Sequence, residues 1–242
     1  AFAGAGAAGA GAGTLAGVGI PIEHPLLNAD VLGQDSVQTI TFDGKLYWFW
    51  GDTSRSEYPL GNFSTTGATS ELPGHGGLDP SVGVNLHYWV DADGVNKKMV
   101  QGVRKGGPIW IDGLMRVKDR AGKNRLVACY VVVKSLTELL ERGLVVWNPQ
   151  TNQFGPLCTF KKDEVLHPSG QPIRIHQADG DWFYFPRPYA VVRVQANWSS
   201  IQDPKQYEAF TCLTPGTRYT NHHAKLARDS AGKLISAWKK DT

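Results

Sequence analysis

From residue 30 onward, short runs rich in β-branched and aromatic residues alternate with turn-forming clusters. The runs include VNLHYWV (84–90), RLVACYVVV (125–133), GLVVWN (143–148), DWFYF (181–185) and AVVRV (190–194). Such residues suit a pleated surface packed on one or both faces. Between them, Asp, Asn, Pro and Gly cluster at 43–44, 91–94, 119–122, 149–152, 179–180 and 229–232. Those residues supply the special backbone angles that tight turns require. One stretch predicts a helix instead. In SLTELLERG, Ser135 and Glu138 form a capping box, Leu136, Leu139 and Leu140 share a face, and Gly143 ends the helix.

The turns group in pairs: 43–44 with 91–94, 119–122 with 149–152, and 179–180 with a looser turn near Asp203-Pro204. Each pair implies two hairpins, hence four strands, in roughly 50–60 residues, which is the spacing of a β-propeller blade. The turn at 229–232 predicts the first hairpin of a fourth blade. The chain also repeats itself: GKLYWFWGDT (44–53) matches GKLISAWKKDT (232–242). Most runs are apolar on both faces, as expected of sheets covered on both sides. The expected fold is therefore all-β: a β-propeller of about three and a half blades here, five in a full protein, with one short helix. A Gly-, Ser- and Thr-rich stretch, 54–80, reads as a long insertion in the first blade, and loops of that length usually carry function.

Composition narrows the classes. The stretch AFAGAGAAGAGAGTLAGVG (1–19) has no basic leader and little to bury. It reads as a flexible leader or the tail of a preceding segment, and 20–242 as the propeller domain, truncated at its C-terminal end. No apolar run is long enough to span a membrane. A formal charge of +3 from 25 basic and 22 acidic residues, spread along the chain, leaves no basic stripe for nucleic acid. Cys129, Cys158 and Cys212 are far apart and lack metal-ligand spacing. Buried free thiols are expected, with one disulfide and a leftover thiol as the alternative. No phosphate loop, zinc spacing or nucleophile elbow is present, so neither metal nor cofactor is expected. Oligomeric state is not encoded legibly.

The chemistry gathers around carboxylates. With Asp43-Gly44 as a two-residue hairpin loop, Phe42 faces Lys45, Ile40 faces Tyr47, and Asp35 faces Asp52. Like charges directly opposed are unfavourable, so such a pair must be solvated, share a proton or face a cation. Asp52 has a counterpart in Asp241 of the repeat, which favours a turn-capping role. Asp35 lies eight residues before its turn. Counting back seven or eight residues from later turns reaches Asp112, Gln171 (or Pro172) and His222 (or Asn221). In a propeller these positions converge at one mouth of the central channel. His222 and His223 are adjacent on a strand, so they point to opposite faces and do not both ligate one metal. Tyr58 and Phe63 in the insertion, and Arg187, are further candidates for binding a sugar.

A carboxylate opening each of the first two blades, in QDS (34–36) and WID (110–112), resembles the clan of five-bladed propeller glycosidases that includes arabinanases, β-xylosidases and invertases. WGDT (50–53) also resembles a related propeller family with endo-arabinanase activity. The resemblance implies a glycosidase in which Asp35 is general base or nucleophile and Asp112 orients substrate. It implies a poly- or oligosaccharide partner, carried over from the substrate class to a secreted or periplasmic setting. The clan's third element, a Glu before the blade-three strand, is absent: SGQPIRI (169–175) carries Gln171 there, and an amide does not donate a catalytic proton. Glu141, Glu164 and Glu208 are the substitutes within reach of the pattern. The alternative is a propeller that binds glycans or scaffolds partners without catalysis.

Overall fold

The structure, a computed structural model, describes residues 21–24, 27–56, 64–187, 192–217 and 224–240. The Ala/Gly-rich stretch 1–19 lies outside these. The first sheet is laid down by β1 (Gly33–Gln34), β2 (Gln38–Phe42), β3 (Lys45–Trp50), β4 (Thr53–Ser54), β5 (Thr66–Glu71) and β6 (His87–Tyr88). Four of these form an antiparallel sheet in the order β2-β3-β5-β6, with β1 and β4 a short separate ladder. The second sheet is a plain meander of β7 (Ile109–Lys118), β8 (Asn124–Ser135), β9 (Glu138–Asn148) and β10 (Gln153–Phe160). The third comprises β11 (Ile173–Gln177), β12 (Gly180–Phe185), β13 (Val192–Gln195), β14 (Glu208–Thr211) and β15 (Ala237–Lys240), in that order. Two short 3-10 turns, Ser200–Gln202 and Pro204–Gln206, join β13 to β14.

Side chains alternate across a strand, and the second sheet uses both faces. Leu114, Leu126, Ala128, Tyr130 and Trp147 pack with Phe42 and Phe49 of the first sheet. Met115, Val117, Val127, Cys129 and Leu144 pack with Phe183, Phe185, Val192 and Tyr207 of the third. The innermost strands stand side by side. Gln38 Nε2 donates to the Ile111 carbonyl at 2.8 Å, and Arg174 Nη1 to the Arg116 carbonyl at 3.4 Å. Sheets stacked face to face with their first strands adjacent are the blades of a propeller. Phe49 is fully buried and its ring meets Tyr47, Trp89, Trp147 and Phe154, so it joins two blades. Replacing it with alanine should cost about 3–5 kcal/mol, measured as a lowered midpoint in urea unfolding.

Three expectations are corrected. The helix over 135–143 is instead a hairpin: β8 ends at Ser135, Leu136 and Thr137 turn, and β9 starts at Glu138. Ser135 does act as the capping residue, accepting from Glu138 N at 3.1 Å, but it caps a turn. Leu140 packs into the interface with the first blade, a burial that a short surface helix would not provide. The stretch read as an insertion contains the central strand β5. Its small residues belong there because a Cβ on Gly67 would come within 2.8 Å of the Phe49 ring and 3.0 Å of Trp89. Finally, the turn at 229–232 does not open a fourth blade among the described residues. It joins an isolated Arg228–Leu234 bridge, and β15 then pairs with β14 as a fifth strand of the third sheet. Arg193, ion-paired to Glu208 at 2.8 Å, lies 4.2 Å from the Trp182 and Trp238 ring centroids and clips that strand in place.

Candidate carboxylate site

The opening hairpin sets the first pair of candidates. Asp43 (φ 47°) and Gly44 (φ 78°) form the two-residue turn, and the register runs Phe42–Lys45, Ile40–Tyr47, Gln38–Phe49. Ser36, with φ 53°, breaks the strand. The same register resumes beyond it at Gln34–Thr53. Asp35 N therefore donates to the Asp52 carbonyl at 3.1 Å, and Gly51 N to the Asp35 carbonyl at 3.1 Å. The two aspartates are direct cross-strand neighbours. Asp35 Oδ1 accepts from Asp52 N at 3.2 Å. Gly51 makes that approach possible, since a Cβ there would press on Ser36 at 3.2 Å and Asp35 Oδ1 at 3.3 Å.

Their surroundings differ. Burial, and then the negative charge of Asp35, raise the Asp52 pKa from its ordinary value, and the Trp110 indole N–H offsets part of this. Asp52 Oδ1 and Trp110 Nε1 are nevertheless both buried without a hydrogen-bond partner among the described residues. Trp110 thus acts on the carboxyl as a nearby dipole and not as a formed hydrogen bond. A carboxyl whose pKa is raised by burial and by a second carboxylate is an arrangement that acid–base chemistry can use.

Asp112 sits at a β-bulge, where the β7–β8 register shifts between Ile111 and Gly113. Bulges re-aim a side chain out of the ladder. Asp112 Oδ2 accepts from Ser169 Oγ at 2.8 Å and Gly170 N at 3.0 Å. Gly113 lets the third blade come this close: a Cβ there would lie 2.4 Å from the Gly170 carbonyl oxygen. Arg142 and His167 complete the neighbourhood. Arg142 Nη1 contacts both ring nitrogens of His167, and His167 Nδ1 lies 2.9 Å from the Glu164 carbonyl. Burial and then the Arg142 charge lower the His167 pKa.

Gln171 is committed elsewhere. Its Oε1 accepts from Leu114 N at 3.0 Å and its Nε2 donates to the Leu114 carbonyl at 3.1 Å. The amide thus mimics a strand backbone and pins the second blade to the third. Gln171→Ala should cost about 1–2 kcal/mol, seen as a shift in the unfolding midpoint. Arg187 forms an isolated bridge with Ser169, which places it on the segment that holds Asp112. His222, Tyr58, Phe63 and Asp241 lie outside the described residues. Of the substitute acids, Glu141 accepts from Tyr130 Oη at 2.8 Å and Arg104 N at 3.1 Å, and Glu208 is paired with Arg193. Glu164 contributes its backbone carbonyl to His167.

The structure therefore joins Asp35 to Asp52, and Asp112 to the 169–171 segment. Trp110, Arg142, His167 and Ser169 enter only in three dimensions, since no spacing rule links them. Among the described residues, no group of three or more His, Cys, Asp or Glu is placed to hold a metal ion. All three cysteines are free thiols. No described helix is long and apolar enough to cross a membrane.

Fold and site together define an all-β protein of stacked blades with a carboxylate pair at the head of the first. No protein-family model and no curated protein matches the chain. Among solved structures it is similar to a Bacteroides ovatus protein described as a "putative hydrolase", with 14% identity and a TM-score of 0.40. The likeness covers 87% of this chain and 55% of that one, so the chain spans about half its length. At that distance the likeness says nothing about activity.

Proposed function

We propose that this chain hydrolyses glycosidic bonds of an oligo- or polysaccharide, using Asp35 and Asp52. The observation that carries the reading is the direct cross-strand opposition of the Asp35 and Asp52 carboxyls, with Asp52 Oδ1 buried without a hydrogen-bond partner among the described residues and its pKa raised by burial and by Asp35. Asp52 gives its proton to the leaving glycosidic oxygen while Asp35 attacks the anomeric carbon. Water, deprotonated by Asp52, then releases the sugar from Asp35. Directly opposed strand residues have Cβ atoms about 4.5–5.5 Å apart. Side chains leaving the backbone that close together favour the near carboxyl pairs of retaining enzymes, about 5–5.5 Å, over the wider pairs of inverting ones, about 6.5–9.5 Å. Asp112, held by Ser169 and Gly170, serves as the fixed polar group that orients the sugar. A secreted or periplasmic setting, where such substrates are met, belongs to the same proposal.

The test is hydrolysis of a panel of plant and algal polysaccharides and aryl glycosides, with the first-formed anomer read by proton NMR. Retention is expected. Inversion would remove Asp35 from the nucleophile's role. One observation favours a second reading, a propeller that binds glycans without cleaving them: both ends of the Gln171 amide are tied to Leu114, so the third blade offers no acid there. Saturable binding without release of reducing sugar from any panel member would establish that reading in place of the first.

A further inference from the structure

The 72–86 segment, which continues past the end of the stretch 54–80 expected as an insertion, folds back over the first blade and encloses a pocket of about 190 Å³. The pocket lies on the face of β3 opposite to the one packed against the second blade. Leu46 and Trp48 form its floor, since they alternate with Tyr47 and Phe49, which face the interblade core. Nothing in the carboxylate site uses it.

The enclosing wall is built and not merely draped. His75 N and Gly77 N both donate to the Leu72 carbonyl, at 2.9 and 3.1 Å. A Cβ on Gly77 would lie 2.6 Å from the Glu71 carbonyl oxygen, so the turn tolerates only glycine there. Asp79 Oδ1 accepts from Ser81 N at 2.8 Å and Ser81 Oγ at 2.5 Å. Asn85 Oδ1 accepts from Glu23 N at 3.0 Å and anchors residue 23 at the rim.

The lining has one apolar side and one polar side. Trp48 is fixed, because its indole N–H donates to Ser70 Oγ at 2.8 Å and its ring stacks beside Trp50. The rim carries Glu71, Glu23 and His87. Glu71 is paired with Lys45 at 2.6 Å, and Glu23 stands 3.8 Å from His87 Nδ1. The rim thus offers acceptor oxygens already matched by cationic or imidazole partners. It suits hydroxyl donors better than a bare cation, which needs uncompensated negative charge. Pockets for drug-sized ligands run to about 300–1,000 Å³, so this one fits a single ring.

We propose that this pocket binds one neutral sugar ring, its C–H face on Trp48 and its hydroxyls on Glu71 and Glu23. The site is separate from the Asp35–Asp52 pair and does not rest on the hydrolytic reading. The experiment is saturation-transfer NMR on the whole chain with D-glucose, D-galactose, D-xylose and L-arabinose, each alone, and with tetramethylammonium as a cation probe. Saturable transfer from at least one sugar is expected. Trp48→Ala and Glu71→Gln should each weaken it by about tenfold or more, and Asp35→Asn should leave it unchanged. Circular dichroism checks folding. Glu71→Gln alters a side chain at the solvent-facing rim and decides the matter if Trp48→Ala does not fold. The proposal is overturned by transfer from none of the four sugars. It is overturned equally by transfer that persists undiminished in Glu71→Gln, by loss of transfer in Asp35→Asn, or by binding of tetramethylammonium in place of the sugars.

Discussion

Gly143→Ala should destabilise the fold by more than about 4 kcal/mol, a large share of a domain's whole stability. Gly143 lies in the middle of β9, paired with Tyr130 on one side and Thr159 on the other. A Cβ there would stand 2.1 Å from the Cys158 carbonyl oxygen and 2.8 Å from Tyr130 Cε1. The first obstacle is backbone, so no rotamer change relieves it. The strand β10 would have to move away, at a bulge where its register already shifts between Pro156 and Cys158. That motion opens the packing of Leu144 and Phe160 against the third blade. Overpacking of a core side chain costs about 1–3 kcal/mol. A clash with backbone inside a ladder adds broken hydrogen bonds, and a total above about 4 kcal/mol is expected. Domains are stable by only about 5–15 kcal/mol. The measurement is equilibrium urea unfolding of the purified variant beside Gly155→Ala, whose Cβ meets nothing within 4 Å. Equal midpoints for the two would refute the account.

Asp35→Asn should abolish sugar release, and Asp52→Asn should lower kcat by about 10²–10⁴, the usual contribution of a positioned acid. The stability of the Asp52→Asn chain should move the other way. Burial and the Asp35 charge raise the pKa of Asp52 in the folded state. Such a group favours folding least when it is ionised. Below its ordinary value of 3.8 it is protonated in both states and costs nothing. As pH rises from there to the raised folded value, the unfolded chain ionises first and the fold loses stability. Above that value the loss is complete. Asp52→Asn removes this loss, so its melting temperature should exceed the parent's at pH 7 and coincide with it near pH 3. A functional carboxyl kept at a cost to stability is the expected trade. An Asp52→Asn chain less stable than the parent at pH 7, with activity intact, would assign Asp52 to turn capping instead.

The opposition of Asp35 and Asp52 was legible from the chain because it is a local matter. A two-residue turn leaves one register, and the pairing then follows by counting, even across the Ser36 kink. Asp112 stands at nearly the same offset, seven residues before its turn where Asp35 stands eight before its own. Its hold by Ser169 and Gly170 was not legible, because those residues come from the next blade, more than fifty positions on. Arg142 and His167 left no sequence signal for the same reason: they meet across strands that no periodicity relates. The candidates at 58, 63 and 222 lie outside the described residues.

Taken alone, the sequence determined the alternation of strand and turn, the four-strand period and the register of the first hairpin. Each depends on residues a few positions apart, where covalent geometry and turn chemistry leave few choices. The tertiary structure decided what local preference left balanced. Residues 135–143 have a capping box and a leucine face, yet they run as strands because Leu140 and Leu144 are buried against different neighbouring blades. Residues 66–71 look like a loop, yet they form a central strand because Phe49 and Trp89 leave room only for small side chains. The two matching GKL segments part ways as well. The first is an inner strand of its blade, while the second ends on the edge of another, where Trp238 covers Arg193. In each case burial against a distant part of the chain outweighed a local preference worth only about 1 kcal/mol.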